Sequence, residues 1–277
     1  MPGEAETREG LETLPGFPCE CLKPLILLSN DDGVRAPGLQ ALASALASVG
    51  DVIVAAPDRE RSAAAHSISL DHPLRVEAVD PNVYAIDGTP VDCVYLALHH
   101  LVPRKPDLCL SGINNGFNLG SDVFYSGTVG AALEGALRGV PAVALSLERK
   151  KPQDFSHAAA FARGFVLDIL TRGPGAIEPG TLLNVNVPAG PVRGLRATSL
   201  GRRNYRDQVS VRQDLRGRNY YWIGGPEEEG DDVAGSDCTA VQDGLVSVTA
   251  IGLDLTHRPM LDRMSTWWPG ERLDDSK

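Results

Sequence analysis

The chain has 277 residues, 43% of them hydrophobic and 22% charged, which is ordinary for a globular protein and leaves room for one large domain or two smaller ones. A formal net charge of −10 argues against a nucleic-acid duplex or an anionic membrane surface as main partner. It leaves open a small phosphorylated substrate, because local donors and metal ions can outweigh the global field.

Residues 1–23 are polar, Gly/Pro-containing and aperiodic, and a flexible extension is expected there. They have neither a basic start nor an apolar centre, so no secretory signal is read, and no run of about 18 apolar residues predicts a transmembrane helix. The five cysteines include a C-x-C at Cys19 and Cys21 but no C-x-x-C pairs, which points to neither a disulfide framework nor a zinc site. Cys93 and Cys109 sit in apolar contexts and read as buried small hydrophobes. The expected location is the reducing cytoplasm.

Leu25-Ile26-Leu27-Leu28 is a continuous aliphatic run without alternation, the pattern of a buried parallel strand. Ser29-Asn30-Asp31-Asp32-Gly33 follows at once. Two carboxylates held together there repel each other unless a cation or proton relieves them, although the same residues also suit an ordinary Asx-rich turn. Leu39, Leu42, Leu46 and Val49 lie at helical spacing, with Gly50 expected as the helix cap. Val52 to Ala56 predicts a second strand, ended by Pro57 and followed by the charged loop Asp58-Arg59-Glu60-Arg61-Ser62. Val91 to Leu101 reads as a helix. A third strand, Leu108-Cys109-Leu110, leads into Ser111-Gly112-Ile113-Asn114-Asn115-Gly116. Thr128 to Leu137 is a further helix, stopped by Gly139 and Pro141, and Ala142 to Leu147 a fourth strand. This alternation means parallel strands with crossover helices.

Phe161, Phe165 and Ile169 mark one more amphipathic helix, and Leu182 to Val187 a strand. From about residue 195 the pattern turns to short β segments with Gly-rich turns, including Tyr220-Tyr221-Trp222-Ile223 and Val246-Ser247-Val248-Thr249. The acidic run Glu227-Glu228-Glu229 to Asp231-Asp232 reads as a solvated loop. The expected organisation is an extension over 1–23, an α/β core over 24–190 and a β-rich C-terminal part with an oligomerisation tail over 191–277.

Polar loops 29–33, 57–62 and 111–120 fall at the carboxyl ends of three successive strands. In a parallel sheet they share one edge, where ligands bind. Backbone N–H groups of the Gly-rich third loop can cradle a phosphate, and Asn and Ser oxygens beside carboxylates suit Mg²⁺, Mn²⁺ or Ca²⁺. Ser126-Gly127-Thr128, before a helix, taken alone reads first as a plain N-cap and second as an anion site.

Asn30-Asp31-Asp32-Gly33, Ala56-Pro57-Asp58-Arg59 with Arg61-Ser62, Gly88-Thr89-Pro90-Val91-Asp92-Cys93, Ser111-Gly112-Ile113-Asn114 and Tyr125-Ser126-Gly127-Thr128 together resemble the stationary-phase survival protein SurE family, in its order and spacing. The resemblance runs from about residue 24 to the tail, through Tyr221-Trp222-Ile223-Gly224. It implies a Rossmann-like three-layer α/β core with a mostly parallel sheet and a smaller β-rich C-terminal extension. It also implies a homodimer or homotetramer and a metal-dependent phosphatase acting on nucleoside 5′- and 3′-monophosphates, with exopolyphosphatase activity in some members. The family's metal ligands fall on Asp31, Asp32, Ser62 and Asn114, for one divalent ion (Mg²⁺ or Mn²⁺) per subunit. The extension before the first strand departs from the family pattern.

The expected reaction is metal-assisted phosphomonoester hydrolysis. Asn118, Ser126, Gly127 and Thr128 are expected to hold phosphate oxygens, with Asp31 or Asp32 as base through bound water. His66 is expected to be structural or to touch substrate. Two alternatives remain: a haloacid-dehalogenase-type phosphatase, whose D-x-D arrangement the adjacent carboxylates do not supply, and a non-catalytic nucleotide-binding protein.

Overall fold

The computed structural model describes residues 23–203, 209–223 and 233–268. The expected N-terminal extension and the acidic run 227–232 lie almost wholly or entirely outside them. The elements in chain order are β1 (Leu25–Ser29), α1 (Pro37–Leu46), β2 (Asp51–Pro57), β3 (Val76–Asp80), β4 (Val83–Ile86), α2 (Pro90–Leu96), β5 (Leu108–Asn115), α3 (Gly127–Leu137), β6 (Ala142–Leu147) and α4 (Ser156–Arg172). Then follow β7 (Thr181–Val187), β8 (Leu195–Thr198), β9 (Val209–Gln213), β10 (Asn219–Ile223), α5 (Asp237–Gln242), β11 (Val246–Gly252) and α6 (Arg258–Trp267).

Nine strands form one sheet in the order β3-β4-β2-β1-β5-β6-β7-β11-β8, and β9 and β10 form a separate antiparallel hairpin. The run β4-β2-β1-β5-β6-β7 is parallel throughout, while β3 and β11 join it antiparallel. This is the mostly parallel Rossmann-like fold expected, and its C-terminal strands β8 and β11 extend the same sheet. The central strands are apolar on both faces because helices cover both. Ile26 and Leu28 pack with Leu39, Leu42 and Leu46 of α1 and Ala162 and Val166 of α4. Leu25 and Leu27 pack with Val94 of α2 and with Val129 and Ala132 of α3. Each such Leu, Ile or Val side chain contributes about 1.5–3 kcal/mol of burial.

Several elements differ from the sequence reading. Helix α1 ends at Leu46 with Ala47 as its cap, rather than at Gly50. Gly50 instead permits close approach, since a Cβ there would lie 2.2 Å from the Pro24 carbonyl oxygen. The helix expected over Val91–Leu101 is α2 followed by a π turn at Ala97–Leu101. Strands β3 and β4 were not anticipated; β3 is largely exposed, so it carries no apolar run. The loop expected from Ser111 is a continuation of β5 to Asn115, with a register shift between Ser111 and Asn114. Gly112 makes that shift possible, with φ at +142° and a notional Cβ only 2.3 Å from the Leu145 carbonyl oxygen. Cys93 and Cys109 are buried and free, as expected.

Candidate active site

Strand order places β2, β1 and β5 side by side and parallel, so their carboxyl ends open on one edge. The turn after β1 is closed by Asn30, whose Nδ2 donates to the Gly33 carbonyl at 3.0 Å and whose Oδ1 accepts the Gly33 N–H at 3.2 Å. Two backbone bonds tie this turn to the β2 loop: Val34 N–H to the Pro57 carbonyl at 2.8 Å and Arg61 N–H to the Asp31 carbonyl at 2.7 Å. The loop carrying Ser62 is thereby held beside Asp31.

Asp31 is buried. Its Oδ1 accepts from the Thr128 hydroxyl at 2.5 Å, and a Cβ on Gly127 would come within 2.8 Å of the Asp31 Cβ. The α3 N-terminus, with Ser126 as cap accepting the Val129 N–H at 3.1 Å, therefore faces a carboxylate of the same chain. Desolvation pushes the Asp31 carboxyl up to about 6; the Thr128 hydrogen bond opposes this and the neighbouring Asp32 charge adds to it. Asp32 is half-buried, and its Oδ2 accepts the Asn115 N–H at 3.4 Å. Its carboxyl is also raised, by desolvation first and then by Glu60, against the lowering influence of the Asn115 N–H and Arg149.

Asn114 leaves the end of β5 half-buried, and its Nδ2 donates to the Gly116 carbonyl at 2.8 Å, which leaves Oδ1 for a ligand. The neighbouring Asn115 Oδ1 is buried with no partner. Ser62 is exposed, and its hydroxyl donates to Glu60 Oε1 at 2.7 Å. The donor set at this edge is all hard oxygen: two carboxylates whose charged form burial disfavours, an orphaned amide oxygen, a second amide and a hydroxyl. These residues fit a hard divalent cation. Among the described residues no group of three His, Cys, Asp or Glu side chains could hold an ion, so a site here depends on neutral oxygens and water as well.

Asn118 is placed differently. Its N–H donates to Asn186 Oδ1 at 2.8 Å, its carbonyl accepts from Asn184 Nδ2 at 2.8 Å and Asn186 Nδ2 at 3.1 Å, and its own Nδ2 donates to Ser146 at 2.7 Å. It fixes the 116–124 segment to the sheet. The segment is clamped again where Asp237 accepts the N–H groups of Gly120 at 2.9 Å and Gly201 at 2.8 Å. The structural role left open for His66 is visible: Nε2 lies 3.0 Å from Oε2 of the buried Glu134 on α3, which also binds Arg138 at 2.7 Å. Asn184, Asn186, Glu134 and Arg149 were not singled out in the sequence. Polar residues at period two in Leu-Asn-Val-Asn-Val and a glutamate inside an Ala/Gly-rich helix were the available signals.

The family model for "Survival protein SurE" matches residues 26–207. A 5′-nucleotidase SurE of Anaeromyxobacter dehalogenans is 54% identical over 87% of this chain and 95% of its own length. A 5′-nucleotidase SurE of Geobacter metallireducens is 48% identical over 87% of this chain and 96% of its own. The crystal structure of the SurE protein from Aquifex aeolicus superposes with a TM-score of 0.79 at 40% identity, covering 88% of this chain and 99% of that one.

Proposed function

The chain belongs to the survival protein SurE family, and from that premise we infer that it is a 5′-nucleotidase, hydrolysing nucleoside monophosphates to nucleoside and phosphate. The observation that carries the chemistry is the paired carboxylates Asp31 and Asp32, held where the loops of β2 and β5 bring further hard oxygens. Asp31, Asp32, Ser62 and Asn114 are the residues that would hold a divalent ion, Mg²⁺ or Mn²⁺. When bound, such an ion neutralises charge developing on the phosphoryl group and lowers the pKa of its water.

The protein's own groups do the rest. Burial keeps water away from Asp31, and the Thr128 hydroxyl fixes its orientation by the 2.5 Å bond. The N–H of Gly127, beside Asp31 at the start of α3, is offered to a phosphate oxygen. Ser126 caps the helix that presents it, and Asn118 contributes by holding the adjoining segment. Asp32, nearer the solvent, is the better placed of the two carboxylates to take a proton through water. Activity on 3′-nucleotides and polyphosphate belongs to the same proposal, because the same phosphate cradle serves them.

The test is phosphate release from a panel of nucleoside 5′- and 3′-monophosphates and polyphosphate, in EDTA and with each divalent metal restored. Release from 5′-monophosphates that EDTA abolishes and Mg²⁺ or Mn²⁺ restores is expected. Undiminished release in EDTA would refute the metal assignment, and absence of release under all conditions would refute the nucleotidase.

A further inference from the structure

A phosphomonoester dianion approaching this edge meets Asp31 and Asp32, with Glu60 close enough to act on Asp32. One divalent cation offsets only part of that repulsion. Arg149, just beyond the carboxyl end of β6, stands at the same place. Its Nε and Nη2 donate to the Asn115 carbonyl at 3.0 and 2.8 Å, while the N–H of Asn115 faces Asp32 Oδ2 at 3.4 Å. The chain around Asn115 thus seats Asp32 and the guanidinium together. The guanidinium lies over Gly116, where a Cβ would come 3.5 Å from Nη2. Arg59 and Arg61, on the β2 loop, are engaged with Asp58 at 3.8 and 3.7 Å. Among the described residues Arg149 has no carboxylate within ion-pair distance; Nε and one Nη2 hydrogen are spent on a carbonyl, which leaves Nη1 and the second Nη2 hydrogen for a further acceptor.

We propose that Arg149 anchors the substrate's phosphomonoester dianion, offering the Nη1/Nη2 edge of its guanidinium to two phosphate oxygens opposite the Asp31/Asp32 pair. The proposal rests on the nucleotidase reading and adds to it a side-chain cation outside the sequence motifs, whose own arginines, Arg59 and Arg61, face Asp58. The rival role is a brace that only holds Asn115, and through it Asn114 and Asp32.

Steady-state kinetics with a nucleoside 5′-monophosphate at saturating divalent metal, with inorganic phosphate as inhibitor, separates the two. For an anchor, Arg149→Gln raises KM and the phosphate inhibition constant together by about 10-fold or more, with Arg149→Lys between it and wild type. The metal concentration for half-activation stays within about twofold, since the anchor holds phosphate rather than metal. A variant that shifts kcat and metal activation but leaves phosphate inhibition unchanged overturns the anchor in favour of the brace, and a variant indistinguishable from wild type overturns it outright. Should the wild type release no phosphate at all, the nucleotidase reading fails separately. Calorimetric titration of inorganic phosphate into metal-loaded wild type and Arg149→Gln then decides, with equal affinity sinking the anchor.

Discussion

At the scale of single residues, Asp31 is both the most costly and the most useful side chain of the site. Burial raises its carboxyl from 3.8 to about 6 despite the Thr128 hydrogen bond. The folded chain then holds more protons than the unfolded chain between those values, so stability falls as pH rises through that window, and the whole penalty is present above about pH 6. In metal-free protein the penalty is on the order of 3 kcal/mol. Asp31→Asn removes the charge at constant shape. It is expected to melt about 5–10 °C above wild type at pH 7.5 in EDTA, with the gap closing near pH 4, and to lose metal-stimulated turnover. Thermal unfolding from pH 4 to 8 checks this; a variant that melts below wild type at pH 7.5 would contradict the account of Asp31 as a strained anion.

Among the elements, the loop from β2 to β3 shows most clearly how a segment of the candidate site is held. Ala63 and Ala65 both take left-handed backbone angles, φ 59° and 52°, unfavourable for residues with a Cβ. What holds the loop there is its seat on α3: Ala65 N–H donates to the Tyr125 carbonyl at 3.2 Å, Gly130 lets the Ala65 carbonyl approach the helix, and His66 meets Glu134. His66→Ala is expected to cost about 1 kcal/mol of stability and to lower kcat with the fold retained, because the loop bearing Ser62 loses its latch. Near-ultraviolet circular dichroism and turnover measured together test this, and unchanged turnover would show that the latch is not needed. The same elements show what sequence could and could not convey. Strands β1 and β2 were legible because burial on both faces demands aliphatic runs, and β6 and β7 because their runs stay mostly aliphatic around Ser146, Asn184 and Asn186. The exposed strand β3 demands no such run. The far end of β5 was read as loop because Ser111, Asn114 and Asn115 are polar, although the chain stays in the strand to Asn115 and pairs with β6 at Asn114 and Asn115. Asp31, Asp32 and Asn114 were legible as candidates at a strand end. The contributions of Glu134, Asn186 and Arg149 depend on contacts 34 to 68 residues distant, which no local pattern encodes.

For the whole molecule, the crevice follows from topology: six adjacent parallel strands put all their carboxyl ends on one edge, and α3 starts there with its positive end. A chain of net charge −10 that gathers carboxylates at this edge calls for a cation to admit a phosphate, and Asp31 with Asp32 is the place we propose for it. The C-terminal clamp by Asp237 ties the later strands to the same edge, so the 118–124 segment is held by both halves of the chain. The most direct test of the central claim is Mn²⁺ binding read by electron paramagnetic resonance on wild type, Asp31→Asn and Asp32→Asn at pH 7.5. Wild type is expected to take up about one ion per chain and both variants to bind at least about tenfold more weakly, as loss of a charged ligand requires. Variants that titrate like wild type would contradict the assignment of the two aspartates as the metal anchor.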